Sequence, residues 1–219
     1  MSKSLKVVKN SLPKGAKMED VIKYFRRRSV QSHKVDCVNW KEYPYKPRVS
    51  FKIAHNGDEI FLQFKVMERG VRGTFEYDYG SRPWTDSCVE FFMIPNLAKP
   101  DYYNIEMTCI GHGTFACGPD RDHRHNFDDS VISRIRRVAS LGSKRVVKEK
   151  GRQCWSLTMA IPFDIYGLDG AAVSGKVMLA NFYKCGDDMP VPHYVTWNPV
   201  GCPNPDYHRP EYFGEIVFE

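Results

Sequence analysis

A chain of 219 residues is long enough for one or two domains, and all-β sandwiches of this length are often single domains. Its 42% apolar and 26% charged residues exclude a disordered tail, and no apolar run approaches the roughly 18 residues of a membrane span. The net charge of +6 gathers at Arg26, Arg27 and Arg28, at Arg134, Arg136 and Arg137, and at Lys144, Arg145, Lys148 and Lys150, with no nucleic-acid motif beside it. These clusters therefore read as solvated faces. The first ten residues lack a continuous apolar core, so no leader is expected within this sequence; that fits a cytoplasmic protein or an exported one whose leader has been removed.

In chain order, the first element predicted is a helix over Met18–Arg28. Met18, Val21, Ile22 and Phe25 share helical spacing, with acids in the first turn and arginines in the last, as a helix dipole favours. The period then becomes two. Ser50–Ala54 and the alternation of Ile60, Leu62, Phe64 and Val66 flank the turn Asn56-Gly57-Asp58, which predicts a hairpin. Further strands are expected at Thr74–Tyr77, Ser87–Ile94, Tyr102–Cys109, Thr114–Cys117, Val131–Val138, Arg145–Lys150, Gln153–Ile161, Val177–Cys185, His193–Trp197 and Glu215–Phe218, with a helical turn near Pro162–Tyr166. Turn residues separate nearly all of them, and neither a βαβ rhythm nor an internal repeat appears. The expected fold is all-β: an antiparallel β-sandwich, jelly-roll-like or immunoglobulin-like, with a short N-terminal helix. Residues 1–34 are expected to form an extension that packs on a domain spanning 35–219.

Seven cysteines without a C-x-x-C pair argue against both a zinc ribbon and a redox motif. Cys88, Cys109, Cys154 and Cys185 lie in apolar strand-like runs and read as reduced core thiols.

Two strands carry polar rows. Val89, Phe91 and Met93 alternate with Cys88, Glu90 and Phe92; Tyr103, Ile105, Met107 and Cys109 alternate with Tyr102, Asn104, Glu106 and Thr108. A carboxylate within an apolar strand must find partners or face a wet cleft. Antiparallel pairing would place Glu90 with the Asn104/Glu106 row, as an internal polar network, a ligand site or a glycosidase pair. A second cluster runs from Asn181 through Lys184, Asp187, His193 and Trp197 to Glu211. Its six prolines after Gly186 suit a binding rim, although Trp197 could simply cap the core. The run Asp120–His125 places two histidines at i, i+2 but offers no third metal ligand at a recognisable spacing.

Taken together, Val38-Asn39-Trp40, Trp84-x-Asp86-Ser87-Cys88-Val89-Glu90-Phe91-Phe92, Tyr103-Asn104-x-Glu106, Asn181-Phe-Tyr-Lys184-Cys-Gly-Asp187, Trp197 and Phe213-Gly214-x-Ile216 resemble the family 9 carbohydrate-binding modules. The likeness is strongest to the stand-alone family 9-like proteins of gut Bacteroidetes (DOMON-like sandwiches), and it runs from about Val35 to Glu219. The resemblance implies a non-catalytic β-sandwich that takes a sugar, often at the end of a glycan, between two aromatic rings, in glycan capture or polysaccharide catabolism. By position, Trp84 matches the first ring, Trp197 the second and Glu90 an acidic acceptor of sugar hydroxyls; Asn104, Glu106, Asn181 and Lys184 are the further candidates. The family also holds structural calcium, for which Asp86 is the candidate ligand here. The expected partner is a mono- or oligosaccharide bound by a monomer, with neither nucleic acid nor a membrane span. Two other classes compete. A glycoside hydrolase would use Glu90 and Glu106, and a haem-binding sandwich would need an axial pair such as Met189 and His193.

Overall fold

The computed structural model describes residues 2–27 and 29–219; Met1 of the expected extension and Arg28 at the end of the expected helix lie outside the described residues. Its elements follow in chain order: β1 (Ser4–Lys9), α1 (Met18–Phe25), β2 (His33–Lys34), β3 (Cys37–Val38), β4 (Arg48–His55), β5 (Glu59–Gly73), β6 (Cys88–Ile94), β7 (Tyr102–Thr108), β8 (Gly113–Gly118), β9 (His125–Asn126), α2 (Asp129–Ile132), β10 (Arg136–Ala139), β11 (Val146–Pro162), β12 (Val177–Gly186), β13 (His193–Thr196) and β14 (Gly214–Phe218).

The strands form two layers. The back layer runs β10-β11-β5-β4 and the front layer β14-β12-β6-β7-β8-β9, with β13 also paired to β12. Among the described residues, the strand that joins them is β1. Ser4–Val7 pairs in parallel with β14 of the front layer, and Val8–Lys9 in parallel with β4 of the back layer. The other ladders are antiparallel, as the sequence predicts for a sandwich. A strand that changes layers in this way curls the sheet and leaves no gap at that edge. Neither flanking segment announces β1: only Leu5 and Val7 of its six residues point into the core.

Between the layers, Phe51 of β4 stacks on Phe182 of β12 with centroids 3.8 Å apart, and Phe182 stacks on Phe91 of β6 at 5.0 Å. The predicted hairpin is present. Asn56 Oδ1 accepts from the backbone of Asp58 and Glu59, and Gly57 takes φ 98°, a left-handed conformation that glycine adopts without strain. Helix α1 lays Val21 and Phe25 on the outer side of the back layer, and the Lys52 ammonium donates to the carbonyls of Phe25 and Arg27 at its C-terminal end.

Four expected strands differ. Thr74–Tyr77 forms no strand; the Thr74 N–H donates to the Asp86 carboxylate instead of to a neighbouring strand. Within Val131–Val138, Asp128 caps α2 by accepting from the Ser130 N–H, so Val131 and Ile132 turn helical and only Arg136–Ala139 pairs. The two strands expected at 145–150 and 153–161 are one strand, β11, with an irregularity between Lys148 and Arg152 around Gly151. Cys154 is exposed on the outer side of β11, whereas Cys88, Cys109 and Cys185 are buried free thiols, as expected. No described helix is long and apolar enough to cross a membrane.

A chain shortened to begin at Asn10 loses the burial of Leu5 and Val7 and bares the facing edges of β4 and β14. It should lose about 3–6 kcal/mol of stability from the two side chains and aggregate through the exposed edges. Chemical denaturation of the two forms measures this; equal midpoints would show that β1 is dispensable.

Candidate functional site

The site lies on the outer side of the front layer. Register fixes who shares that side: Glu90 of β6 stands opposite Glu106 of β7 and Tyr183 of β12, and Cys88 stands opposite Thr108 and Cys185. Tyr194 of β13 stands opposite Cys185. The segment after β12 folds back over this side. Its Val200, Tyr207 and Phe213 pack with Trp40, Phe92, Tyr102 and Tyr183 into a second, smaller core. Where that cover stops short, a cleft remains, with a cavity volume of about 110 Å³. Glu90, Glu106 and Cys185 form its floor; Trp84, Tyr194, Asp187, Arg121, Arg124 and the stretch Pro205–His208 form its walls.

Trp84 sits in a one-turn 3-10 helix, Pro83–Thr85, and is 38% exposed. The N–H groups of Asp187 and Asp188 donate to the carbonyls of Trp84 and Thr85, which pins this turn to the end of β12. Tyr194 is held edge-on by Tyr43 with ring centroids 4.8 Å apart. Arg124 brings Nη1 within 3.7 Å of Glu106 Oε1, which also accepts from Asn104 Nδ2 at 2.8 Å. Both arginines belong to the mixed-charge run Asp120–His125, whose role is thus to carry guanidinium groups to the cleft. Its His123 pairs with Asp120 in solvent.

Burial dominates the electrostatics. It pushes Glu90 well above the ordinary carboxylate range, with the Cys185 thiol and Glu106 adding to the effect. It carries Glu106 up to about 7, against the pull of Arg124 and Asn104. Burial, assisted by Arg124 and Arg121, drives His208 down to about 3, so this wall residue is a neutral imidazole.

Of the residues singled out from sequence, Trp84, Glu90 and Glu106 meet in the cleft, with Asn104 behind Glu106. Three others do not. Asn181 is fully buried, accepting from the N–H groups of Phe182 and Asn198 and donating to Asn198 O, so it ties β12 to the segment after β13. Lys184 points to the opposite side of β12, between the layers. There its ammonium pairs with Glu68 Oε2 at 2.9 Å and donates to His193 Nε2 and Cys185 O, both at 2.7 Å. Trp155 Nε1 donates to the other Glu68 oxygen at 2.6 Å. Trp197 is only 3% exposed, with its ring edge-on to Phe51 and Phe182 in the main core. Neither residue has a face to offer a ligand.

Calcium does not fit Asp86. Its oxygens accept from Arg72 Nε at 2.8 Å and from the Thr74 N–H and hydroxyl, and a guanidinium in contact leaves no place for a second cation. Haem does not fit Met189 and His193 either. Met189 Sδ accepts from Ser87, and His193 donates from Nδ1 to Val191 O while its Nε2 meets Lys184. Sequence reading placed Asp187 in the second cluster but missed Tyr194, and it weighed the run that carries Arg121 and Arg124 only for its histidines. Parity along β13 carried a signal for Tyr194, which alternates with the inward residues His193 and Val195.

A family model described as carbohydrate-binding family 9 matches residues 19–218. A crystal structure titled as a "putative carbohydrate-binding protein" from Bacteroides uniformis ATCC 8492 is 37% identical over 100% of both chains, with a TM-score of 0.93. A family 9 module from Caldicellulosiruptor kristjanssonii in complex with cellotriose is 14% identical over 99% of this chain and 94% of that one, with a TM-score of 0.60. The glucose complex of a family 9 module from the same organism gives 13%, 99%, 96% and 0.59. No curated protein matches.

Two measurements probe this geometry. Lys184→Met leaves Glu68 buried without its cation and should cost about 3–5 kcal/mol by chemical denaturation, while Lys184→Met/Glu68→Gln should recover much of that loss. Glu106 holds its proton up to about 7 in the folded chain but gives it up near the ordinary value of 4.5 once unfolded. The native state therefore binds more protons in that interval, and stability should fall as pH rises through it. Thermal melts across the interval should slope downward in the wild type and more gently in Glu106→Gln; equal slopes would refute the assignment.

Proposed function

Because the chain belongs to carbohydrate-binding family 9, we propose that its outer cleft binds a saccharide without catalysis, as a glycan-capture protein. The observation that carries this reading is the pairing of a half-exposed indole, Trp84, with a dry polar floor made of Glu90 and Glu106. Sugars present apolar C–H faces and polar edges. A ring can lie on the indole while its hydroxyls reach acceptors on Glu106 and Asp187 and donors on Arg121 and Arg124. Tyr194, not Trp197, supplies the second aromatic wall. The cellotriose and glucose complexes of similarly folded modules make β-linked glucans and their end units the first ligands to try.

A hydrolase is the second reading, since two carboxyls stand together and one of them titrates near neutrality. Their arrangement disfavours it. Glu90 and Glu106 are direct cross-strand neighbours on one floor, with β-carbons about 4.5–5.5 Å apart. Glycosidase carboxyls instead flank the scissile bond from two sides.

Calorimetry against a panel of mono- and oligosaccharides should find binding, with no release of product from aryl glycosides. Silence across the panel would refute the proposal, and wild-type turnover that Glu90→Gln abolishes would replace it with the hydrolase.

With a ligand in hand, Trp84→Ala should cost about 1–3 kcal/mol of affinity at little cost in stability, and Tyr194→Ala should do the same. Trp197→Ala should destabilise the fold by about 3–5 kcal/mol and leave the affinity of the remaining folded protein unchanged. Glu106→Gln should weaken binding by about 1.5–3 kcal/mol at pH 8, where the carboxylate is ionised. Loss of affinity in Trp197→Ala with none in Tyr194→Ala would exchange the two roles.

A further inference from the structure

Among the described residues five carboxyl side chains are buried: Glu59, Glu68, Asp86, Glu90 and Glu106. Four have a cation. Glu59 meets Arg136 at 2.7 Å, Glu68 meets Lys184 at 2.9 Å, Asp86 meets Arg72 at 2.8 Å and Glu106 meets Arg124 at 3.7 Å. Glu90 is the exception among the described residues. Its Oε1 accepts from Cys185 Sγ at 3.0 Å and lies 4.0 Å from Cys88 Sγ, and the carboxyl groups that act on it, Glu106 and Asp187, add negative charge and no cation. The positive charge that every other buried carboxyl has is missing there.

Cys88, Glu90 and Cys185 offer ligand atoms that all lie within 4.8 Å of one another. Cys88 and Cys185 are direct partners across the β6–β12 ladder, and Glu90 is two residues along β6 on the same side. Two adjacent strands, buried on both sides, hold this triangle. We propose that Cys88, Cys185 and Glu90 form a site for a thiophilic divalent cation of the zinc class, with its fourth position open to the cleft. Two thiolates and one carboxylate match zinc's preference for sulfur with nitrogen or oxygen, and bonds of about 2.3 Å to sulfur and 2.0–2.2 Å to oxygen require only a small contraction of the triangle. Three protein ligands and one vacancy is the pattern of an open site, in which water or a ligand hydroxyl completes the tetrahedron. On binding, the cation displaces the protons of the two thiols and of Glu90 to solvent. No oxidant or reductant is involved. Hard cations such as calcium are disfavoured, because two of the three donors are sulfur.

The test uses the full chain, reduced and stripped with a chelator, titrated with Co²⁺ alone and then with Zn²⁺. Co²⁺ is expected to give a thiolate-to-metal charge-transfer band that saturates at an equimolar ratio and that equimolar Zn²⁺ erases. Cys88→Ser and Cys185→Ser, near-isosteric changes, should each lower the band and weaken Zn²⁺ binding by at least roughly 100-fold; Glu90→Gln should keep both thiolates but weaken binding roughly 10- to 100-fold. Cys154→Ser, on the far face of the molecule, should change nothing. Absence of the band at equimolar Co²⁺ would overturn the proposal. So would a band that survives in Cys88→Ser/Cys185→Ser. Because no saccharide enters the readout, failure here would not touch the proposed sugar binding.

Discussion

The register of β12 against β6, and of β6 against β7, is the constraint from which the rest of the structure follows. It puts Tyr183, Glu90 and Glu106 in one row and Cys185, Cys88 and Thr108 in the next. Strand side chains alternate, so a slip of one residue would drive Glu90 into the Phe51–Phe182 layer and turn Phe91 toward the cleft. A buried carboxyl without partners costs several kcal/mol, so such a slip is strongly penalised. All seven residues of β6 are buried, because the back layer covers one side and the segment after β12 covers the other. A polar row is thereby kept dry while still opening on a cleft.

The two sides of β12 resolve their charges differently. On the inner side, the Lys184 ammonium spends its donors on Glu68, His193 and Cys185 O, and Trp155 completes Glu68. This network is closed, and its residues hold the layers together. One residue further on, the outer side holds Cys185 beside Glu90 and Glu106, where acids outnumber cations. Low polarisability around that floor magnifies every charge placed on it. Whatever settles there is chosen by what the floor lacks: hydrogen-bond donors and positive charge.

Parity was legible in the sequence; sidedness was not. The alternation along Cys88–Ile94 and Tyr102–Thr108 was readable because each strand is uniform, and it correctly placed Glu90 with Glu106. Lys184 was misplaced because alternation tells which residues share a side of a strand but not which side faces the other layer. Its partner Glu68 lies more than a hundred residues away, beyond any local pattern. Trp197 follows directly on β13 and reads equally well as rim or core; only the distant Phe51 decides. Asp128 is a capping residue three positions before Val131, and the branched residues Val131, Ile132, Ile135 and Val138 outweighed that signal in favour of a strand. Strand β1 escaped notice because two inward residues in six make too weak a period.

The joint formed by β1 also governs the order of assembly. Its first half needs β14 and its second half needs β4, both in parallel, and Glu219 N–H closes the ladder on Val7 O. Parallel neighbours drawn from opposite ends of a sequence are joined only after a very large loop has closed, a step that makes folding slow. Residues 4–9 are made well before residues 214–218, so the front layer stays open along the β12 edge until β14 has been made. Until then the β12 edge stays unpaired, and an unpaired edge is open to association with other chains.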